Sequence, residues 1–473
     1  MRSTFFGLET ALRALEAQRG AVDVTAHNVA NASTPGYRRQ VARLQATPPY
    51  RPADMDGPTG AGSWGTGVAI VDISSARDAF LDRQVRAQSA WQGRYDAMDK
   101  ALGEIEATLN EPSSTGLGSS LDAYWKAWQA VGDDPSNLAA RQVLLQTAAA
   151  LGEDFTHLDQ QWISVRDDVD RQIQDQVAQL NRLAQQVAEL NRDIAGVKAM
   201  GQNPNDLIDQ RDDLLSQMGQ IAPLQTRLND DDTVDVWVQG YALVSGARAD
   251  AVTVTVGGGS LSLAWQSTGA TLALPRGSAG SLGGLLDLRE AVIPGYRAQL
   301  DAIAQAVANA TNALHRTGYD LNGNPGLDVF NYTAGGPAQP VLLQLNPALV
   351  GRPERVAAAA QPGANGDGTV ALDIAAAVDQ PGTVGAASIH EAYRGLVGQV
   401  GADRLEAGTR AENAQALLQN LEVQRQSAEG VSLDEEMARL VQYQQAYQAA
   451  ARTLTAIDDM IGTVVERLGR AGL

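Results

Sequence analysis

Four histidines, His27, His157, His315 and His390, are the side chains best suited to move protons or hold a metal, and they are scattered along 473 residues. No two stand at metal-ligand spacing. His390-Glu391-Ala392-Tyr393-Arg394 lacks the second histidine that a helical zinc site requires. Cysteine is absent, which removes thiolate nucleophiles, thiolate metal sites and disulfides together. Asp320-Leu321-Asn322-Gly323-Asn324 begins like a calcium loop, but Pro325 stands where the sharp-turn glycine belongs and Asn331 where a bidentate glutamate is needed, so a turn is expected. Gly257 to Gly259 has no phosphate-loop lysine after it and reads as a hairpin turn. The pair Asp212-Asp213 reads as part of a solvated helix face. Asn31-Ala32-Ser33 fits a glycosylation sequon, yet a turn role accounts better for Asn31. The chemistry expected is therefore none: no catalytic residue, no cofactor, no metal and no enzyme.

The charge balance narrows the partners. Thirty-six basic residues against 55 acidic ones give a net charge of −19, and no basic cluster interrupts the acidic background. Nucleic acid and anionic membrane are not expected partners. Copies that associate must do so through local apolar seams, because the average field between them is repulsive. Glu9, Arg13 and Glu16 break the opening apolar pattern, so a cleavable secretion signal is not expected, and no stretch approaches the roughly 20 apolar residues of a membrane span. Those signals by themselves leave a cytoplasmic reading, although export routes that read an amphipathic N-terminus leave no such mark.

What must be positioned, then, is a pair of seams. Phe5, Leu8, Leu12, Leu15, Val22 and Val29 recur at alternating steps of three and four, with Arg19 and Ala26 completing the row and Arg19 its one break. At the far end Leu440, Tyr443, Tyr447, Leu454, Ile457, Ile461, Val464 and Leu468 repeat the alternation, Ala450 completing it. A 3.5-residue repeat keeps a seam on one side of a helix that supercoils against a partner. Periodicity alone fits an ordinary bundle helix as well. The first helix spans about 4 to 31 and stops at a turn carried by Asn31, Thr34, Pro35 and Gly36, where Asn31 can take a left-handed C-terminal position. Pro48 to Gly67 reads as a loop with short extended pieces. Helix dominates from about 76 to 221, including the long face Leu158 to Val197 and a helix near Asn205 to Gly219.

Strict alternation then takes over in Thr233 to Val238 and Val252 to Val256, marking a small antiparallel β module that leans on the helices. Helix returns at Leu282 to His315 and again at about 387 to 429, and the closing helix starts at a capping box, Ser432 with Glu435. The expected fold is mainly α with a small inserted β domain: terminal helices paired as a coiled coil (1–60 and 430–473), a central helical bundle (61–223 and 276–429) and an antiparallel β outer domain (224–275). Because most helical stability comes from burying an apolar face, the ends are expected to be disordered in the free protein and to order on assembly.

The turn Asn28-Val29-Ala30-Asn31-Ala32-Ser33-Thr34-Pro35-Gly36-Tyr37 resembles the signature of the rod, hook and hook-associated proteins of the bacterial flagellum. Gly67-Val68 through Asp78-Ala79-Phe80-Leu81, the stretch Asn205 to Leu215, and Gly430-Val431-Ser432-Leu433-Asp434-Glu435-Glu436 running into Tyr443 to Ala449 resemble the hook-associated members. Gly280 to Asp287 and Gly318 to Asn324 are similar to them too. The resemblance implies a secreted, non-enzymatic subunit of the hook-filament junction that permits filament assembly and so motility. It implies an inner coiled-coil tube, a surrounding helical layer and type III export in an unfolded state. Its implied partners are further copies in a ring, the hook protein, a second junction protein (hook-associated protein 3) and a cytoplasmic export chaperone on the C-terminal helix. Asn28, Asn31, Pro35, Gly36 and Tyr37 are the residues that carry the signature. The competing readings are a hook or rod protein of the same family, and a wall-degrading enzyme on a flagellar frame.

Overall fold

A computed structural model describes residues 5–49, 64–257 and 259–470, and the side chains of residues 467–470, Leu468 of the C-terminal seam among them, lie outside the description. Most of the loop expected from Pro48 to Gly67 also falls outside it. Helix α1 (Phe6–Asn31) ends where the turn residues predict. Asn31 stays helical and caps through its side chain, Nδ2 donating to the His27 carbonyl at 3.0 Å, instead of turning left-handed. Gly36 supplies the positive φ of +77° that the turn requires.

Two antiparallel strands that the sequence pattern did not announce follow, β1 (Gln40–Ala46) and β2 (Val68–Ser75). They lie against α1: a Cβ at Gly20 would stand 2.5 Å from Ile70 Cδ1. Their burial comes from a distant helix, so short alternation gave little sign of them.

Four helices then build the body: α2 (Ala79–Leu109), α3 (Leu117–Asp133), α4 (Leu138–Ala199) and α5 (Asn205–Ile221). Asp78 caps α2 by accepting from the Phe80 and Leu81 amides at 2.9 and 3.2 Å. Asn137 does the same for α4, whose 62 residues make a rod of roughly 90 Å. Trp128, Trp162, Tyr124 and Phe155 are fully buried around it, and Trp162 Nε1 donates to Thr108 Oγ1 at 2.8 Å.

The β region forms one four-stranded antiparallel sheet, β3 (Gln225–Leu228), β4 (Val234–Val238), β5 (Tyr241–Ser245) and β6 (Arg248–Ala249), and one hairpin, β7 (Val252–Gly257) with β8 (Ser260–Trp265). Two asparagines of α4 tie it down. Asn191 exchanges hydrogen bonds with both backbone groups of Val234, and Asn181 does so with Val252. Val236, Val238, Leu243 and Val244 join the same apolar cluster as the helices. The β module thus borrows its core from α4, as its small size requires.

Helix α6 (Ser281–Asp287) runs through a π turn at Leu288–Val292 into α7 (Ile293–His315), where a single helix was expected. Pro294 in the first turn of α7 has no N–H for the regular ladder, and Arg289 in the wide turn reaches Asp170 at 2.6 Å. A short sheet, β9 (Phe330–Thr333) with β10 (Leu342–Leu345), and α8 (Thr369–Ala376) complete the body. Asp320 forms the expected turn, accepting from the Asn322 and Asn324 amides at 2.8 Å each.

Helix α9 (Ile389–Glu429) returns along α2, and α10 (Leu433–Arg470) runs back along α1. The α1–α10 pair is antiparallel: Asn28 meets Glu436 at one end, and Gly7 meets Ile457 at the other. Both terminal helices are formed within the single chain. Among the described residues no helix is long and apolar enough to cross a membrane.

Candidate functional site: the joint between rod and body

Where the turn after α1 meets the body, the residues are charged. From the turn after α1, Arg38 enters a buried cage, its side chain only 7% exposed. Its Nη2 pairs with Asp82 of α2 at 2.5 Å, its Nη1 with Asp212 of α5 at 2.7 Å, and its Nε stands 2.9 Å from Glu429 at the end of α9. The Arg38 amide donates to Asp209 at 3.1 Å. Arg77, just before α2, closes the cage from the other side, 2.5 Å from Asp209 and 3.1 Å from Asp212.

The adjacent Arg39 holds the next helix. Its Nε donates to Glu436 of α10 at 2.7 Å, and its amide donates to the Glu429 carbonyl at 2.9 Å. Two consecutive arginines thus grip the carboxylates on either side of the Gly430 break between α9 and α10. Asn28 completes the arrangement: Nδ2 donates to Glu436 at 2.9 Å and to the Gln40 carbonyl at 2.8 Å, and Oδ1 accepts from the Tyr37 hydroxyl at 2.8 Å and the Gln40 amide at 2.9 Å. All of its polar valences are filled, which makes Asn28 a fixed knot. Gln40 Nε2 donates to Asp206 at 2.6 Å, and His27 lies 3.3 Å from the same residue.

Burial shapes the titration of this cluster. The Arg38 guanidinium is held above its ordinary value; burial opposes its charge, but Asp212, Asp82 and Glu429 outweigh it. Burial raises the Asp209 and Glu429 carboxyls, against the pull of Arg77 on the first and of the Asp78 amide and Arg38 on the second. Burial, then Asp206, Asp209 and Glu436, raises the Tyr37 phenol. Such a cage costs desolvation and repays it only while every partner is present. Here Arg38 and Arg77 meet Asp82, Asp209, Asp212 and Glu429, so each charge of the cage faces an opposite one.

Two local readings are corrected here. Asp212 is not on a solvated face; it is 12% exposed between two arginines. The cap expected from Ser432 and Glu435 does not form, since both side chains are exposed and, among the described residues, neither makes a hydrogen bond. Glu436 is the carboxylate engaged at the start of α10, and a true capping box forms instead at Ser388 and Glu391 of α9. Asn28, Asn31 and Tyr37 of the signature turn make the contacts described, while Pro35 and Gly36 shape the backbone that delivers Arg38.

The seam residues divide. On α10, Leu440, Tyr443, Leu454, Ile457 and Ile461 are half-buried, whereas Tyr447 and Val464 are exposed. On α1 the contact face lies one residue before the expected row: Ala11, Ala21, Thr25 and Asn28 are buried, in step with Gly7 against Ile457. Leu8, Leu15, Val22 and Val29 border that face half-buried, and Phe5 and Leu12 are exposed. Small residues let the two backbones approach, and the larger ones are left around the outside of the rod.

The family model for the flagellar hook-associated protein FlgK helical domain matches residues 102–330, and models for the flagella basal body rod protein and the flagellar basal body rod FlgEFG protein C-terminal match 8–38 and 424–467. Flagellar hook-associated protein 1 of Bacillus subtilis is 31% identical over 507 residues, covering 100% of both chains. The chain belongs to the flagellar hook-associated protein 1 (FlgK) family. The Salmonella typhimurium member is 33% identical over 335 residues, 68% of this chain and 58% of that one. The flagellar hook junction protein FlgK of Burkholderia pseudomallei shares the fold, with a TM-score of 0.63 at 18% identity over 74% of this chain and 100% of that one. In this FlgK-family chain, Arg38 is the last residue of one matched terminal segment, and Glu429 and Glu436 lie in the other. Sequence reasoning missed Arg38, Arg39, Arg77, Asp82, Asp209, Glu429 and Glu436. The signal available was that three resembling stretches, far apart in the chain, each border a charge, Tyr37 on Arg38, Leu81 on Asp82 and Gly430 on Glu429, while a fourth, Asn205 to Leu215, contains Asp209 and Asp212.

Proposed function

We propose that this protein is a structural subunit that joins hook to filament, in which the α1–α10 rod makes contacts along the assembly axis and the helical body packs laterally. The division of the chain into terminal rod, helical body and outer β module is part of that proposal, as are the partners: further copies, the hook protein, hook-associated protein 3 and an export chaperone on α10. One observation carries it. The ends of the chain and the Asn205 to Leu215 stretch converge on a single buried charge cage, while large apolar residues such as Leu12, Met437, Val441 and Val464 stay on the outside of the rod. A rod that holds its own direction but leaves apolar surface uncovered is built to be completed by neighbours. The reading is non-enzymatic: the side chains that converge neutralise one another and leave no nucleophile beside a base.

Deletion of the gene followed by electron microscopy tests this. Hooks without filaments, with filament protein shed into the medium, are expected, and restoration requires the intact chain. Normal filaments on the deletion strain would refute the reading.

A further inference from the structure

The chain contains two steps in which asparagine precedes glycine, Asn322-Gly323 and Asn365-Gly366. Such a step carries its own reactants. The glycine nitrogen can close a five-membered ring onto the asparagine side-chain amide, because no Cβ obstructs the approach. The rate then depends on how freely that nitrogen and that side chain move. The two steps are neighbours in space, since a Cβ at Gly323 would stand 3.8 Å from the Gly363 nitrogen, yet the fold holds them in opposite ways.

Asn322 lies in the turn organised by Asp320. The Gly323 amide donates to the Asp320 carbonyl at 3.0 Å, and the Asn322 and Asn324 amides donate to Asp320 Oδ1 at 2.8 Å each. The attacking nitrogen is already committed there. Asn365 and Gly366, by contrast, are the central residues of an exposed turn closed by a single bond, from the Asp367 amide to the Ala364 carbonyl at 2.9 Å. Among the described residues the Gly366 amide donates to no acceptor, and the Asn365 side chain has no hydrogen-bond partner. Two residues on, Asp367-Gly368 shows what a held step looks like: the Asp367 carboxylate accepts from the Ala360 amide at 2.7 Å, the Thr369 amide at 3.0 Å and Thr369 Oγ1 at 2.6 Å.

We propose that Asn365 is a site of spontaneous deamidation, with solvent water as the only co-reactant, and that Asn322 is protected by the turn that holds it. The Gly366 nitrogen loses its proton to solvent base and attacks the Asn365 side-chain carbonyl carbon. That carbon's bond to its amide nitrogen breaks, and ammonia leaves carrying a proton from water. Water then opens the cyclic imide at either carbonyl, which leaves aspartate, or isoaspartate with the backbone routed through the side-chain carbon. Either product adds one negative charge to a chain already at −19. No enzyme is required, so the modified fraction grows with the age of the molecule. The reaction needs no assembly either, and it stands apart from the junction reading.

The full chain is incubated in mildly alkaline buffer, sampled over days, digested with trypsin and read by mass spectrometry, with isoaspartate detected by enzymatic methylation. Trypsin separates the two steps, Asn322 falling in residues 317–355 and Asn365 in 356–394. In the folded protein Asn365 is expected to react at least about tenfold faster than Asn322, because ring closure at Asn322 must first break the hydrogen bonds of its turn. In denaturant that protection is gone, and the two rates should converge. Equal rates in the folded protein, faster reaction at Asn322, or an equally large difference in the unfolded chain overturns the proposal. Asn365→Gln, at an exposed position, should leave melting unchanged and abolish the modification of 356–394; persistence of the signal there would place the reaction elsewhere and overturn the assignment to Asn365.

Discussion

The body and the rod of this molecule bury opposite kinds of residue. The body turns Tyr124, Trp128, Phe155 and Trp162 inward around α4, and none of the four has exposed surface. The rod turns alanine, threonine and asparagine inward and keeps leucine, methionine and valine at its margin or in solvent; from Met437 to Glu466 of α10 no residue is fully buried. Trp128 and Trp162 of the body are covered entirely within the chain, whereas Leu12 and Val464 of the rod are not. Between them the Arg38 cage holds the rod's direction with charge, which leaves the rod's apolar surface free for other copies.

The largest way to sharpen this contrast is to empty the body. Trp162→Ala is expected to cost about 3–5 kcal/mol and to lower the melting temperature of the whole body, read by calorimetry; a loss confined to the rod would break the comparison. Arg38→Ala is expected to cost a similar amount, about 3–5 kcal/mol, because it strands Asp82, Asp212 and Glu429. Here the damage should be local. Hydrogen exchange should speed in α1 and at the start of α10 while α4 stays protected, and parallel loss in α4 would show that the joint is part of the body core.

Acid should separate the two regions next. His315 is buried beside Trp128, accepts the Ala357 amide on Nε2 at 2.7 Å, and has its pKa pushed down to about 4, chiefly by burial. The unfolded chain therefore binds the proton first. The stability His315 contributes is complete above about pH 6.5 and is lost as pH falls toward 4, by roughly 3 kcal/mol. Asp209 and Glu429 in the joint act with the opposite sign, because burial raises their folded pKa values and acidification relieves that cost. Denaturant titration at pH 7 and pH 4.5, followed by tryptophan fluorescence, should show the body weakening, and His315→Gln should remove most of the pH slope.

The smallest effect on the monomer is expected at the rod surface. Leu12→Asp, at a residue 46% exposed, should change monomer stability by no more than about 0.5 kcal/mol and yet abolish incorporation into the flagellum. A variant that assembles normally would show that this face of the rod is idle.

The helices, the β insertion and the end of α1 were legible because each repeats a local pattern: α4 its apolar face, β4 and β7 their alternation, α1 its Pro35-Gly36 stop. The two strands around the Pro-rich loop were not, since Ile70 is ordered by a glycine of α1 fifty residues away. The capping box was placed at Ser432 because residue types alone satisfied it. A side chain bonds to what stands nearest, and there Glu436 was already positioned by Asn28 and Arg39.

Sequence by itself determined which long segments are helical and that the two ends pair. Those follow from periodicity and residue type, which act over a few turns of chain. Only the tertiary structure decided which face of α1 meets α10, because a one-residue shift turns a helix by about 100° and moves the contact from leucine to alanine. It also decided that Arg38, Asp82, Asp212 and Glu429 share one cage. Charges 44 to 391 residues apart have no common period, and only the packing of three helices against the turn after α1 brings them within reach.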